Sequence, residues 1–241
     1  MMELRIPSTS TNNFNYFFLT NTDNYFVMSL TVQVADESHY VYAETICNMM
    51  AEAAKIRGTG IAKRKAEYLI QKMKEGKAVI ALDTTLPVGF CYIESWENHK
   101  YVANSGLIVH PDYRKFGLAK DIKKAVFELS KKKFPNAVLF GITTSMAVMK
   151  INSDLGYKPV TFSELTTDNE FWSGCQSCPN YDILQRTEKS MCLCTGMRCD
   201  LSKIGLSNDA GKKKSWESFK QFIQKRKAKK AEKLNLKNNE Q

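Results

Sequence analysis

The chain has 241 residues, 43% of them hydrophobic, which suits one domain of ordinary size with extensions. No apolar run approaches the roughly 20 residues of a membrane-spanning helix, so the composition points to a soluble protein. The net charge of +10 suggests a polyanion partner until it is located: Lys212 to Gln241 carries 11 basic residues against 3 acidic, and the rest carries 24 against 22.

Residues 1–28 are rich in Asn, Thr and aromatics and have no clear period. They are expected to be disordered or non-native, with Met28 as the natural start. Leu30 to Val34 reads as a strand. Asp36 or Ser38 can cap a helix over Tyr40 to Lys55, which Arg57-Gly58-Thr59-Gly60 breaks. A second helix is expected over Arg64 to Glu75. Lys77 to Leu82 and Val88 to Glu94 form a hairpin about Thr84-Thr85-Leu86-Pro87. A further strand covers Val102 to Val109. The next helix, Gly117 to Lys132, places Leu118, Ile122, Ala125, Val126 and Leu129 at helical spacing. Then come a strand at Val138 to Thr143, a helix at Met146 to Leu155 and a last strand at Tyr157 to Phe162. Phe171 to Asp200 is rich in Cys, and Ser215 to Leu234 reads as a basic helix.

Arg114-Lys115-Phe116-Gly117-Leu118-Ala119 joins a strand to a helix. The first N–H groups of a helix lack partners, and the dipole's positive end lies there. Glycine lets an anion approach the backbone closely, and Arg114, Lys115 and Lys120 add cations. The loop is a candidate phosphate cradle; the alternative is a surface turn with an incidental glycine.

These residues resemble the acyl-CoA signature of the GNAT acyltransferases. Arg114, Gly117 and Ala119 fill its pattern, and Leu155-Gly156-Tyr157 is similar to the family's second marker. The resemblance covers about Leu30 to Phe162. It implies an α/β GNAT fold, a mixed and mostly antiparallel sheet flanked by helices, with a Cys-rich C-terminal extension and a basic C-terminal helix. The domain boundaries expected are 29–163 for the catalytic part, 164–200 for the extension and 201–241 for the tail.

The resemblance also implies direct transfer of an acyl group from a CoA thioester to an amine. Ile108, Val109, Arg114, Lys115, Phe116, Gly117, Leu118, Ala119 and Asn152 would bind the donor. The Val109 N–H would polarise the thioester carbonyl. Three positions depart from the family. Ser145 stands where Asn is frequent. Asn152 replaces the Tyr that protonates the leaving thiolate, and can only hydrogen-bond sulfur. Asn104 and Ser105 stand where a Glu base is frequent, so acid and base are not assigned.

A longer likeness involves Arg57 to Arg64, Phe171 to Asp182 and Cys192 to Thr195. It resembles the GNAT subgroup of Bacteroidetes that makes N-acetyl- or N-succinylglutamate for arginine synthesis, with acetyl-CoA or succinyl-CoA as donor. An acidic acceptor needs cations, and Arg57 and Arg64 are the candidates, against the reading that they are solvated surface residues.

Seven cysteines without a secretory signal fit a reducing cytoplasm. Cys175-x-x-Cys178 and Cys192-x-Cys194 could supply four thiolates to a structural zinc; the alternatives are packed structural thiols or a redox pair. Cys47 and Cys91 read as small core residues. Tyr92 and Glu94 end a strand that could face the acceptor. His110 reads as structural in preference to a base, and His39 and His99 carry no context.

Two functions of different class follow. One is an N-acyltransferase acting on a small-molecule amine, with glutamate as the leading acceptor and a homodimer as an allowed assembly. The other is a CoA-binding module without turnover that meets a partner or nucleic acid through its Cys-rich segment and tail. Neither involves a membrane.

Overall fold

The computed structural model describes residues 4–7, 13–19, 25–57 and 64–204. The chain divides into two compact units, Met1–Ser202 and Lys203–Gln241. Almost all of the second lies outside the described residues, and with it the expected basic helix.

The first unit is built on a nine-stranded sheet. In chain order its elements are β1 (Leu4–Pro7), β2 (Asn13–Leu19), β3 (Tyr25–Val34), α1 (Ala43–Arg57), α2 (Ala66–Lys74), β4 (Ala78–Asp83), β5 (Leu86–Trp96), β6 (Tyr101–Val109), α3 (Leu118–Lys133), β7 (Val138–Thr143), α4 (Met146–Asp154), β8 (Lys158–Val160), α5 (Asn169–Ser173), α6 (Tyr181–Arg186) and β9 (Thr195–Asp200). The strand order is β1-β2-β3-β4-β5-β6-β7-β9-β8. Only β6 and β7 run parallel; the other neighbours are antiparallel. β1 and β2 fall within the segment expected to be disordered or non-native. β9 lies beyond the strand expected to be the last, and inserts between β7 and β8.

The alternation of β5 sorts the helices onto two faces. Phe90 and Tyr92 pack with Ile46 and Met50 of α1 and Leu69 and Met73 of α2. Gly89 points the other way, since a side chain there would meet Ile122 of α3. Strand residues two apart share a face, so Glu94 and Trp96 follow Tyr92 onto the α1–α2 face, and Cys91 and Ile93 face α3. Five residues of β4, Ala78 to Leu82, are buried, because helices cover the sheet on both sides.

α3 is a strong helix for local reasons. Leu118, Ile122 and Val126 recur every fourth position and are all buried, while Lys131, Lys132 and Lys133 sit in the last turn, where cations suit the dipole. α4 is capped by Ser145, whose Oγ accepts from the Val148 N–H at 3.4 Å. It lies on the α3 face, tied by Lys120 to Asp154 at 3.1 Å. α5 and α6 form a second core on the α1–α2 face. There Trp172, Leu184, Phe162 and Leu165 pack with Ala103 of β6 and Phe140 of β7. The Trp172 indole N–H donates to the Thr166 carbonyl at 2.9 Å, so this large side chain is buried with its polar atom satisfied.

Candidate functional site

β6 and β7 are hydrogen-bonded neighbours over Tyr101–Val138, Val102–Leu139 and Ala103–Phe140. Beyond Ala103 the two strands have no cross-strand partners in each other. The parting of two parallel strands leaves a wedge through the sheet. β6 is also bulged here: Phe90 faces Ile108 and Tyr92 faces Ser105, so Gly106 and Leu107 stand opposite Cys91 alone. Gly106 has φ +65°, and a Cβ there would lie 2.3 Å from the Tyr92 ring. Only glycine fits both the turn of the backbone and the close ring.

A cavity of about 820 Å³ fills this wedge. On the α1–α2 face it is lined by Arg64, Tyr68, Tyr92 and Glu94, with Cys175 and Tyr181 from the second core. On the other face it reaches Lys123 of α3 and Asn152 of α4. Asn104 to Leu107 and Gly141 to Ser145 form the sides.

Glu94 is the titratable centre of the first end. It accepts a hydrogen bond from the Tyr68 hydroxyl and lies 2.7 Å from the Lys72 ammonium. Each member of that ion pair is 13% exposed. Burial pushes the Glu94 carboxyl up to about 7, while the Arg64 guanidinium pulls it down and Glu170 pushes it up. Burial also lowers the Lys72 ammonium. Arg64 Nε donates to the Tyr92 hydroxyl at 2.8 Å, and its guanidinium lies 5.2 Å from the centre of the Tyr68 ring.

The expected donor residues divide. Ile108 is buried in the α1–α2 core, so only its backbone can face a ligand. Val109 pairs with Gly89, and neither lines the cavity. Arg114, Lys115, Phe116, Gly117, Leu118 and Ala119 form the loop after β6 and the start of α3. Lys115 and Gly117 both have left-handed backbone, φ 75° and 77°. Gly117 caps α3, and a Cβ there would meet nothing within 4 Å. Among the described residues, the N–H groups of Gly117, Leu118 and Ala119 have no protein acceptor, leaving the first turn of a 16-residue helix open to an anion. Arg114 folds back instead, its Nε donating to the Val109 carbonyl at 3.2 Å.

Asn152 is 3% exposed and lines the cavity. Arg64 lines it as well, whereas Arg57 ends α1 and its side chain lies outside the described residues, as do residues 58–63. His110 precedes the loop with Asp112 at 3.7 Å and does not line the cavity.

Cys175, Cys178, Cys192 and Cys194 all line the cavity, and all are free thiols. The four thiols do come together as neighbours, but the expected zinc finds no support: among the described residues no group of three or more His, Cys, Asp or Glu is placed to hold a metal ion. Cys175, Cys192 and Cys194 instead pack against the second apolar core. Burial, reinforced by neighbouring thiols, pushes Cys175 up to about 11 and Cys194 up to about 12, which keeps both protonated. Cys91 is buried as expected; Cys47 is half-buried beside the first core.

Two features escaped the sequence. The bulge at Gly106 carries no sequence mark beyond a glycine inside a strand pattern. Lys123 reads as a solvent-facing lysine in a basic helix, yet it is 4% exposed.

No family model matches the chain, and no curated protein does. Solved structures do. N-acetylglutamate synthase from Neisseria gonorrhoeae, in complex with coenzyme A and N-acetylglutamate, matches at TM-score 0.51 and 13% identity over 71% of this chain and 35% of that one. Rv2747 from Mycobacterium tuberculosis, in complex with CoA, matches at TM-score 0.51 and 13% identity over 70% of this chain and 98% of that one. The yncA protein of Salmonella typhimurium, solved with acetyl-CoA, matches at TM-score 0.50 and 12% identity over 71% of this chain and 94% of that one. The fold is that of the GNAT acetyltransferases. The chain spans about a third of the Neisseria enzyme's length, so the likeness concerns the fold of one part of that protein. Among the described residues, no helix is long and apolar enough to cross a membrane.

Proposed function

We propose that the protein is an acyl-CoA-dependent N-acyltransferase that moves an acyl group directly to a small amine. The observation that carries this reading is the wedge between β6 and β7, with a buried carboxyl pushed up to about 7 at one end, and the open helix N-terminus that follows β6. Glutamate is the leading acceptor, as in the Neisseria enzyme.

In this reading the donor's pyrophosphate rests on the N–H groups of Gly117, Leu118 and Ala119, with Lys115 and Lys120 adding charge. Its arm runs along β6 into the wedge. The amine enters from the α1–α2 face, where Arg64 faces the acceptor's carboxylates and Arg57 is a second candidate. Glu94 takes a proton from the amine as the nitrogen attacks the thioester carbonyl. The N–C bond forms and the C–S bond breaks. Charge on the carbonyl oxygen meets backbone N–H groups of the bulged stretch Gly106 to Val109. The sulfur leaves beside Asn152, which can donate a hydrogen bond and cannot supply a proton.

The test is release of free CoA from acetyl-CoA or succinyl-CoA with each amino acid in turn. Turnover with glutamate above the other amines is expected. Donor binding without turnover on any amine would instead make the chain a CoA-binding module.

A further inference from the structure

The wall of the cavity beside the second core carries a group of thiols that the transfer chemistry leaves unused. Cys175, Cys178, Cys192 and Cys194 are all free and all line the cavity. They are close enough that the other three thiols all bear on the titration of Cys194.

One pair among the four is set apart by its backbone. The chain that follows α5 makes three successive turns of three residues. The Cys175 N–H donates to the Trp172 carbonyl at 3.0 Å, the Cys178 N–H to the Cys175 carbonyl at 2.9 Å, and the Tyr181 N–H to the Cys178 carbonyl at 3.0 Å. Turns of this kind advance about 2 Å per residue and bring side chains three apart onto one side. Cys175 and Cys178 therefore share a side, with Cα atoms roughly 6 Å apart. A disulfide spans Cα separations of about 4.4–6.8 Å, so a bond can close here with the backbone in place. Cys192 and Cys194 are hydrogen-bonded to each other, but a bond between thiols two residues apart closes a much tighter loop.

The two thiols of the favoured pair differ in their surroundings. Cys175 packs against the second core, and burial pushes it up to about 11. Cys178 takes no part in that packing. It is placed to react first, and Cys175 to follow.

We infer that Cys175 and Cys178 form a thiol–disulfide exchange site for a small-molecule disulfide. The Cys178 sulfur attacks one sulfur of the incoming molecule, whose S–S bond breaks. A mixed disulfide forms, and the first small thiol leaves with the Cys178 proton. The Cys175 sulfur then attacks the Cys178 sulfur, and the second small thiol leaves with the Cys175 proton. The two protein thiols are oxidised to one disulfide, and the small disulfide is reduced to two thiols. The new bond fixes the turn between α5 and α6, and α5 carries Glu170, whose charge bears on Glu94. Exchange needs neither CoA nor an amine, so the site stands apart from the acyltransfer reading.

The reduced full chain is treated with oxidised glutathione, the remaining thiols are alkylated, and the peptides are mapped by mass spectrometry. The expected product has Cys175 joined to Cys178, with Cys192 and Cys194 alkylated and two glutathione thiols released per chain. Cys175→Ser is expected to stop halfway, with one glutathione held on Cys178. Cys178→Ser is expected to slow loss of the Cys175 thiol by at least about tenfold. A natural chain with all four cysteines alkylated, or with its disulfide between any other pair, would overturn the inference. So would a Cys178→Ser chain that loses its Cys175 thiol as fast as the natural one. The map of the natural chain decides the matter even where a variant fails to fold.

Discussion

Glu94 and Lys72 sit in a balance that neither residue sets alone. Removing both charges from water favours their neutral forms, while 2.7 Å of separation favours the ionised pair. A carboxyl that changes state near neutrality is suited to accept a proton at working pH. The predicted kcat/KM rises with pH through about 7, because the base acts only when ionised. Glu94→Gln keeps a hydrogen-bond acceptor for Tyr68 and removes the base. It is expected to lower kcat by roughly a hundredfold or more and to abolish the limb near 7, read from pH–rate profiles. Stability moves the other way. The folded carboxyl holds its proton more tightly than the unfolded one, so its contribution is full below about 4.5 and is lost as pH rises through about 7.

At the scale of elements, the bulge in β6 shapes the wedge, and Gly106 permits the bulge. Gly106→Ala places a methyl against the Tyr92 ring at a left-handed backbone position. The expected cost is about 2–4 kcal/mol in urea unfolding, with loss of acyl transfer in whatever folds. The loop before α3, the helix itself and β4 to β7 were legible in the sequence, because each carries its own period or its own cap. β9 was not. Thr195-Gly196-Met197-Arg198-Cys199-Asp200 shows no strong alternation, and its place depends on β7 and β8, distant in the chain. Glu94 could be placed on its face from Phe90 and Tyr92, but its shifted titration depends on burial first and then on Arg64 and Glu170, an environment which only the packed fold assembles. The cysteines gave the reverse lesson: their spacing suits a metal, while Cys175, Cys192 and Cys194 pack against an aromatic and apolar core.

On the scale of the whole molecule, the Cys-rich segment is held between two strands of one sheet, β8 and β9. A chain ended after Ile204 retains β9 and is expected to unfold cooperatively with the Tm of the full protein. A chain ended after Cys194 loses the strand between β7 and β8 and is expected to show no cooperative transition. Circular dichroism melting curves distinguish the two.

The wedge, finally, reaches both faces of the sheet. In the proposed transfer each substrate would thus have its own doorway, the donor arriving from the α3–α4 side and the amine from the α1–α2 side. Neither blocks the other's entry, and spent CoA can depart without waiting for the acylated product. Under that proposal the layout calls for no fixed order of addition, and initial-rate kinetics are expected to show random binding of the two substrates.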